Sequence, residues 1–487
     1  MALAMEKQMI VGEVPVSPFS RLFSMPGLDC FNIVTIGFKN EASPSAFTEG
    51  LKNTLLNHPR FSCILETGPG EHKPRWIPTQ VNIKDHVVVP NIDPTIDNPD
   101  QFLEDYTSNM VFSPIDKCKP LWEIHILNIK TSDAESLVVA RFHHSLGDGM
   151  SLMSLLLACS RKTSDPEALP TLVAPKLSKV TNVWSSLAAR LWLIIRLMFN
   201  TIVEVFKFLL IVCSFCDNRT PLMEKPSATR IPNKFIHRVI SLDDVKVVKN
   251  AMNMTVNDVI LGMVQAGLSR YLSQKYDTET NPKLKKSLEK ICLRGVVFFN
   301  LRSNKKIEDL AKMMEKRSTS RWGNSIGYAM IPLWMRSEND IFEYIRRAKT
   351  TMDRKKLSLE PLFSYVLLKL TVEVFGSKAL RALAMRIFGR STIILSNVAG
   401  PTEEISLFDH QISYVSASIS GFPQAQKWQS TKALIVHITS YVSKAIINLG
   451  VDLDVIPDPH NLCDHIVEAL QMMKSAVEDK ISADLIV

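Results

Sequence analysis

The chain has 487 residues, 46% hydrophobic and 22% charged, with a net charge of +8. At ~100–200 residues per domain, that leaves room for two large domains with substantial cores. Its 18 glycines and 26 prolines are too few for a fibrous or low-complexity chain, and the scattered basic residues allow an anionic ligand or membrane surface without calling for nucleic acid.

Met1 to Met25 carries Glu6 and Glu13 before any apolar run and does not read as a signal peptide. Phe31 to Phe38 reads as a strand and Ser45 to Asn57 as an amphipathic helix. Leu121 to Leu127 has period two and Leu137 to Phe142 reads as its neighbouring strand; Met150 to Cys159 is helical. The stretch 184–216 is long enough to span a membrane, but Arg190, Arg196, Glu204 and Lys207 interrupt it and no uncharged run exceeds nine residues. On a helix these charges and Asn200 share an arc of about 120°. That stripe favours a helix lying in a membrane interface over a spanning helix or an ordinary core helix. Cys213 and Cys216 form the one close cysteine pair, without the second pair that a zinc site needs; the eight cysteines read as mostly buried thiols.

Arg219 to Arg230, with Pro221 and Pro226, reads as a linker. It divides the chain into 1–180, a membrane-associating helix and basic linker at 181–230, and 231–487. In the last block Thr255 to Leu272 reads as a helix with Asn257 or Thr255 near its N-cap. Leu293 to Asn300, Ile326 to Ile331 and Ile393 to Val398 are strand-like. Ala433 to Ile438 and Ala445 to Leu453 form a late strand pair, and Asn461 to Val477 a closing helix. Irregularly spaced mixed elements without repeats predict an α/β fold of the mixed α+β kind.

Chemistry concentrates in Arg141-Phe-His-His-Ser-Leu-Gly-Asp-Gly149, which holds HHxxxDG between an apolar strand and a helix. A neutral histidine at such a turn can take a proton from an alcohol as a C–O bond forms and return it to a leaving group, worth ~10²–10⁴-fold. Asp148, with Gly149 permitting a tight turn, is suited to fix the loop by pairing with an arginine. Two histidines satisfied in a core turn is the plainer reading of the same residues.

Pro120-Leu-Trp-Glu123, His143-His-Ser-Leu-Gly-Asp-Gly149, Thr255-Val-Asn-Asp-Val-Ile260, Gly323-Asn324 and Ser396-Asn-Val-Ala-Gly-Pro-Thr402 follow in that order. The ordered set resembles the signature of the wax ester synthase/diacylglycerol acyltransferase family and spans nearly the whole chain. Val16-Ser-Pro-Phe-Ser-Arg-Leu-Phe23 is similar to the opening of its plant branch. The resemblance implies two chloramphenicol-acetyltransferase-like domains, of the CoA-dependent acyltransferase type, around a central tunnel. It implies transfer of a fatty acyl group from acyl-CoA to a long-chain fatty alcohol, giving a wax ester, or to diacylglycerol, giving triacylglycerol. Acyl-CoA is then a substrate, with no cofactor and no metal. The resemblance also implies the endoplasmic reticulum membrane, with the plasma membrane as a second location, a cytosolic active site and a lipid surface met through 184–216.

On the same resemblance His144 is the general base, with His143 packed behind it. Asp148 and Gly149 shape the loop, and Arg302 is the ion-pair candidate for Asp148. The oxyanion or substrate-binding candidates are Asn257 with its neighbour Asp258, then Ser396 or Asn397. Pro120, Leu121 and Trp122 shape the tunnel wall. No covalent nucleophile is needed because the thioester is already activated. The alternative is a catalytically idle member that binds lipid or a partner on the same fold, against which the intact His144, Asp148 and Gly149 speak.

Gly323-Asn-Ser-Ile-Gly327 matches the nucleophile elbow of serine hydrolases, but that elbow needs a buried strand before it and a helix after it, and neither is legible here. No phosphate-binding or dinucleotide-binding glycine motif occurs. His237, His410 and His437 stand apart from other polar motifs and read as structural. Lys283, Lys285, Lys286 and Lys290, with Arg302, Lys305 and Lys306, read as a solvated face, with contact to CoA phosphates as the sharper alternative.

Overall fold

Strand Ser136–His143 is buried at all eight positions, the pattern of a strand covered on both faces. The computed structural model describes residues 16–25, 28, 30–66, 74–93, 95–111, 113–171, 187–213, 222, 233–276, 288–302, 322–420 and 434–486. Apart from Leu222, the linker Arg219–Arg230 lies outside them, as do Lys283, Lys285, Lys286, Lys305 and Lys306.

Two large mixed sheets carry the fold. The first runs Val87–Val88, Trp122–Leu127, Ser136–His143, Phe31–Phe38, His410–Ser420, Ile405–Leu407, Ser160–Lys162. The second runs Ile326–Trp334, Cys292–Asn300, Ile393–Val398, Leu434–Tyr441, Lys444–Asp452, Asn233–Ser241. Residues 405–420 therefore leave the later half of the chain for the first sheet, where His410–Ser420 pairs with Phe31–Phe38, Phe31 opposite Ser420. Phe408 and Asp409 make their hairpin turn, both at positive φ (50° and 67°), as a two-residue turn between twisted strands requires. The boundaries at 180 and 230 are thus not the division between sheets.

Most predicted elements form. The strands at 31–38, 122–127 and 136–143 pair antiparallel, and 434–441 with 444–452 is the late strand pair. Thr255, not Asn257, caps helix Val256–Lys275, its hydroxyl accepting from Asp258 N while the Asp258 carboxylate takes Thr255 N–H. The closing helix, Pro459–Ile486, outruns the predicted end at 477 because no Gly or Pro stops its polar last turns.

The amphipathic stretch forms helix Leu187–Cys213, whose buried residues, Asn200, Glu204, Phe208 and Val212, repeat every fourth position. Part of the polar arc therefore docks on the protein. Glu204 is 1% exposed and pairs with Lys355 (2.5 Å) and Arg354 (2.7 Å), and Lys355 also holds the buried Glu360 (2.6 Å). Asn200 donates to Leu357 O (3.2 Å). The apolar remainder faces outward, with Trp192, Phe199, Ile202 and Phe206 each 60–66% exposed. Helix Glu360–Gly389 adds a stripe of exposed Leu362, Val366, Leu370 and Val374, ending at a kink where Gly376 sits at φ 79°. Among the described residues no helix is long and apolar enough to cross a membrane.

Candidate functional site

The HHxxxDG loop leaves strand Ser136–His143 and enters helix Gly149–Cys159. The preceding strand is anchored by Arg141, 1% exposed, which pairs with Glu123 across the strands (2.7 Å) and donates to Ser113 O (2.7 Å). His143 faces Phe31 edge-on at 5.2 Å. Ser145 N–H donates to its Nδ1 (3.3 Å), so that nitrogen is unprotonated and also takes the Ser145 hydroxyl (2.7 Å). His143 is thereby fixed against its own turn through Ser145.

His144 is held by its backbone instead. Its N–H donates to Cys30 O (2.7 Å) and its carbonyl accepts from Asn324 Nδ2 (2.8 Å). Its ring packs on Phe23 at 4.3 Å, is 3% exposed, and has no hydrogen-bond partner for Nδ1 among the described residues. Burial pushes the imidazole down to about 4, so it is neutral near pH 7.

Asp148 caps the following helix and ties the two halves of the chain together. One carboxylate oxygen accepts from Ser151 N (2.9 Å); the other takes Arg302 Nη1 (2.8 Å) and Ser325 N (2.9 Å). Asp148 and Arg302 are 2% and 5% exposed in their side chains. Arg302 also donates to Ser151 Oγ (3.0 Å) and to Gly323 O. Gly323 sits at φ 108°, a conformation that costs a side chain roughly 1–2 kcal/mol. Beyond the carbonyl contact, Asn324 Nδ2 also reaches Ser20 Oγ (2.8 Å), and Trp322 Nε1 donates to Leu146 O (2.6 Å). The Gly323-Asn-Ser-Ile-Gly327 segment therefore clamps the histidine loop; its strand, Ile326–Trp334, follows the serine rather than preceding it. Trp322 and Asn324 are the site residues that sequence reading undervalued. A glycine beside an amide just before a strand was the available signal.

The remaining candidates separate. Gly149 does not need positive φ; it starts the helix where a Cβ would stand 3.1 Å from Val398 Cγ2. Pro120, Leu121 and Trp122 are buried in the first sheet's core, with Leu121 O accepting from His143 N (2.9 Å) and Trp122 Nε1 donating to Phe61 O (3.0 Å). Asp258 completes the capping box with Thr255. Asn257 and Asn397 are exposed and bonded to each other, with no recorded contact to the His144 loop. Strand parity puts Asn397 with Ile393 and Leu395, which pack in the second sheet's own core, and puts Ser396 with Ile394, in the cluster of Phe23 and Cys30 beside His144. A cavity of about 550 Å³ lies elsewhere, between helices Val256–Lys275 and Phe342–Lys356, and is lined by none of these residues.

Residues 31–260 match the wax ester synthase/diacylglycerol acyltransferase catalytic domain, and residues 322–474 the WS/DGAT C-terminal domain. The chain is 64% identical over 481 residues to wax ester synthase/diacylglycerol acyltransferase 2 of Arabidopsis thaliana, covering 98% of this chain and 99% of that one. With wax ester synthase/diacylglycerol acyltransferase 3 of the same plant the identity is 54% over 480 residues, covering 98% and 97%. The solved wax ester synthase/diacylglycerol acyltransferase from Marinobacter aquaeolei VT8 aligns with TM-score 0.59 at 17% identity, over 96% of this chain and 100% of that one. The first condensation domain of the calcium-dependent antibiotic synthetase aligns with TM-score 0.56 at 11% identity, over 95% and 96%. Both structural likenesses are of fold.

Proposed function

The chain belongs to the wax ester synthase/diacylglycerol acyltransferase family and is an acyl-CoA-dependent O-acyltransferase; on that premise we propose that His144 is its general base. The acceptor is a long-chain fatty alcohol, giving a wax ester, or diacylglycerol, giving triacylglycerol. His144 takes the hydroxyl proton as the oxygen attacks the thioester carbon. The C–S bond then breaks and the proton passes to the departing CoA thiolate. No cofactor is required, since the thioester supplies the driving force. The observation that carries this reading is a buried, neutral imidazole with no partner for Nδ1 among the described residues, on a residue held through its main-chain N–H and carbonyl. His143, bonded to Ser145, supports it; Asp148 and Arg302 hold the loop. Nothing in the geometry or the relatives favours a catalytically idle lipid- or partner-binding protein. Release of CoA from palmitoyl-CoA with hexadecanol, compared between the wild type and His144→Ala, tests the reading. Undiminished release by the variant overturns it.

The lipid acceptor reaches the site from a membrane on which helices 187–213 and 360–389 rest. Apolar patches this large mark interaction surfaces, and two adjacent helices with outward aromatic and aliphatic residues support a bilayer interface. The membrane is that of the endoplasmic reticulum, with the plasma membrane second, and the site opens to the cytosol, where acyl-CoA is available. Glycosylation tags at residue 175 and at the C-terminus should both stay unmodified in microsomes; modification of the C-terminal tag alone contradicts this placement.

A further inference from the structure

His437 lies in the middle of strand Leu434–Tyr441, 3% exposed, and neither of its ring nitrogens has a hydrogen-bond partner among the described residues. A buried polar atom without a partner costs stability, and this ring holds two. Strand parity fixes where it points. Leu434, Val436 and Ile438 fill the second sheet's own core, so His437 shares the opposite face with Ile435. Ile435 packs in the same cluster as Phe23, which touches the His144 ring, and Cys30, which accepts the His144 N–H. The neighbouring strand gives the same bearing. Ser396 is paired in register with His437, between Ile394 of that cluster and Val398, which abuts Gly149 at the start of the loop helix. Burial, with His144 as the other influence, pushes the His437 imidazole down to about 4, so both rings are neutral and within each other's field. Two residues further on, buried Thr439 presents an unpartnered hydroxyl on the same face.

We propose that His437 is a second catalytic imidazole, whose ring N–H donates to the carbonyl oxygen of the acyl thioester as negative charge gathers there, opposite His144. The assignment rests on the acyl transfer proposed at His144. A neutral imidazole suits the role because it can donate to an oxyanion without giving up its proton, so the proton balance remains with His144, the hydroxyl and the CoA thiolate. It also explains the placement: an N–H with no protein acceptor is available to a carbonyl oxygen that accumulates charge only during reaction.

The test compares His437→Leu, His437→Gln and His144→Ala by CoA release from palmitoyl-CoA with hexadecanol, alongside thermal melting. His437→Leu should melt at or above the wild-type temperature, because it removes two unpartnered polar atoms, yet lose roughly 100-fold in kcat with KM for palmitoyl-CoA little changed. His437→Gln, which keeps an N–H donor, should recover part of that loss. A His437→Leu enzyme of wild-type kcat overturns the proposal, and so does a loss of rate that follows a loss of melting temperature and is not relieved by Gln. If His144→Ala is inactive while His437→Leu is fully active, the inference fails and the base assignment stands. If His144→Ala is fully active, the base assignment itself fails.

Discussion

Replacing Asp148 by Asn keeps the shape of the side chain and removes its charge. The two carboxylate oxygens accept from opposite sides, one from Ser151 N and the other from Arg302 and Ser325 N. An amide has one acceptor only. If its oxygen faces Ser151, its NH2 opposes two donors; if it faces Arg302, the helix cap is lost. In either orientation Arg302, 5% exposed in its side chain, loses the carboxylate that Nη1 pairs with. Breaking such a pair from one side costs about 3–5 kcal/mol. For a chain of this length the unfolding entropy makes that about 3–5 °C in melting temperature. Because the same carboxylate holds the loop that carries His144, kcat should fall at least ~10-fold while KM changes less. Differential scanning fluorimetry and CoA release read the two effects. Adding Arg302→Met to Asp148→Asn should restore part of the stability, since the buried charge is removed together with its carboxylate. An Asp148→Asn protein that melts within about 1 °C of wild type and turns over at the wild-type rate refutes the reasoning.

His144→Ala should reduce CoA release by at least ~100-fold with circular dichroism unchanged, and His143→Ala by less; equal near-wild-type rates would remove the base assignment. His144 and His437 are pushed by burial to about 4 in the folded protein, below the ordinary 6.5, so the unfolded chain binds protons first. Their contribution to stability is therefore complete above about pH 6.5 and lost as the pH falls toward about 4. Melting temperature should drop over that window, less steeply in His437→Leu, and a pH-independent melt between 7 and 4.5 contradicts it. Gly323→Ala must adopt φ 108° and should lose about 1–2 kcal/mol together with activity, through the clamp on the histidine loop; an unaltered melt and rate would show that the clamp tolerates another backbone. Trp192→Gln, Phe199→Gln and Phe206→Gln combined should weaken sedimentation with anionic vesicles while leaving turnover on detergent-dispersed substrate within about twofold of wild type; equal vesicle binding would count against this face.

Local pattern was enough for most strands, for the turn holding His143, His144 and Asp148, and for the helix of residues 187–213, because periodicity and turn chemistry act over a few residues. The ordered motifs also carried the family and its chemistry. Three matters belonged to long-range packing. The first is that residues 405–420 cross to the first sheet, a pairing settled by which edge of Phe31–Phe38 stood open. The second is which face each strand residue occupies: Ser396 and Asn397 are adjacent in the chain, yet alternation sends one toward the Phe23 and Cys30 cluster and the other away, and puts His437, in register with Ser396, on the same side. The third is the orientation of the amphipathic helix. Its charge arc says that two faces differ but not which meets the protein. Glu204 turns inward because Arg354 and Lys355, distant in sequence, surround it with positive charge, and a buried carboxylate is tolerated only where folding supplies such partners.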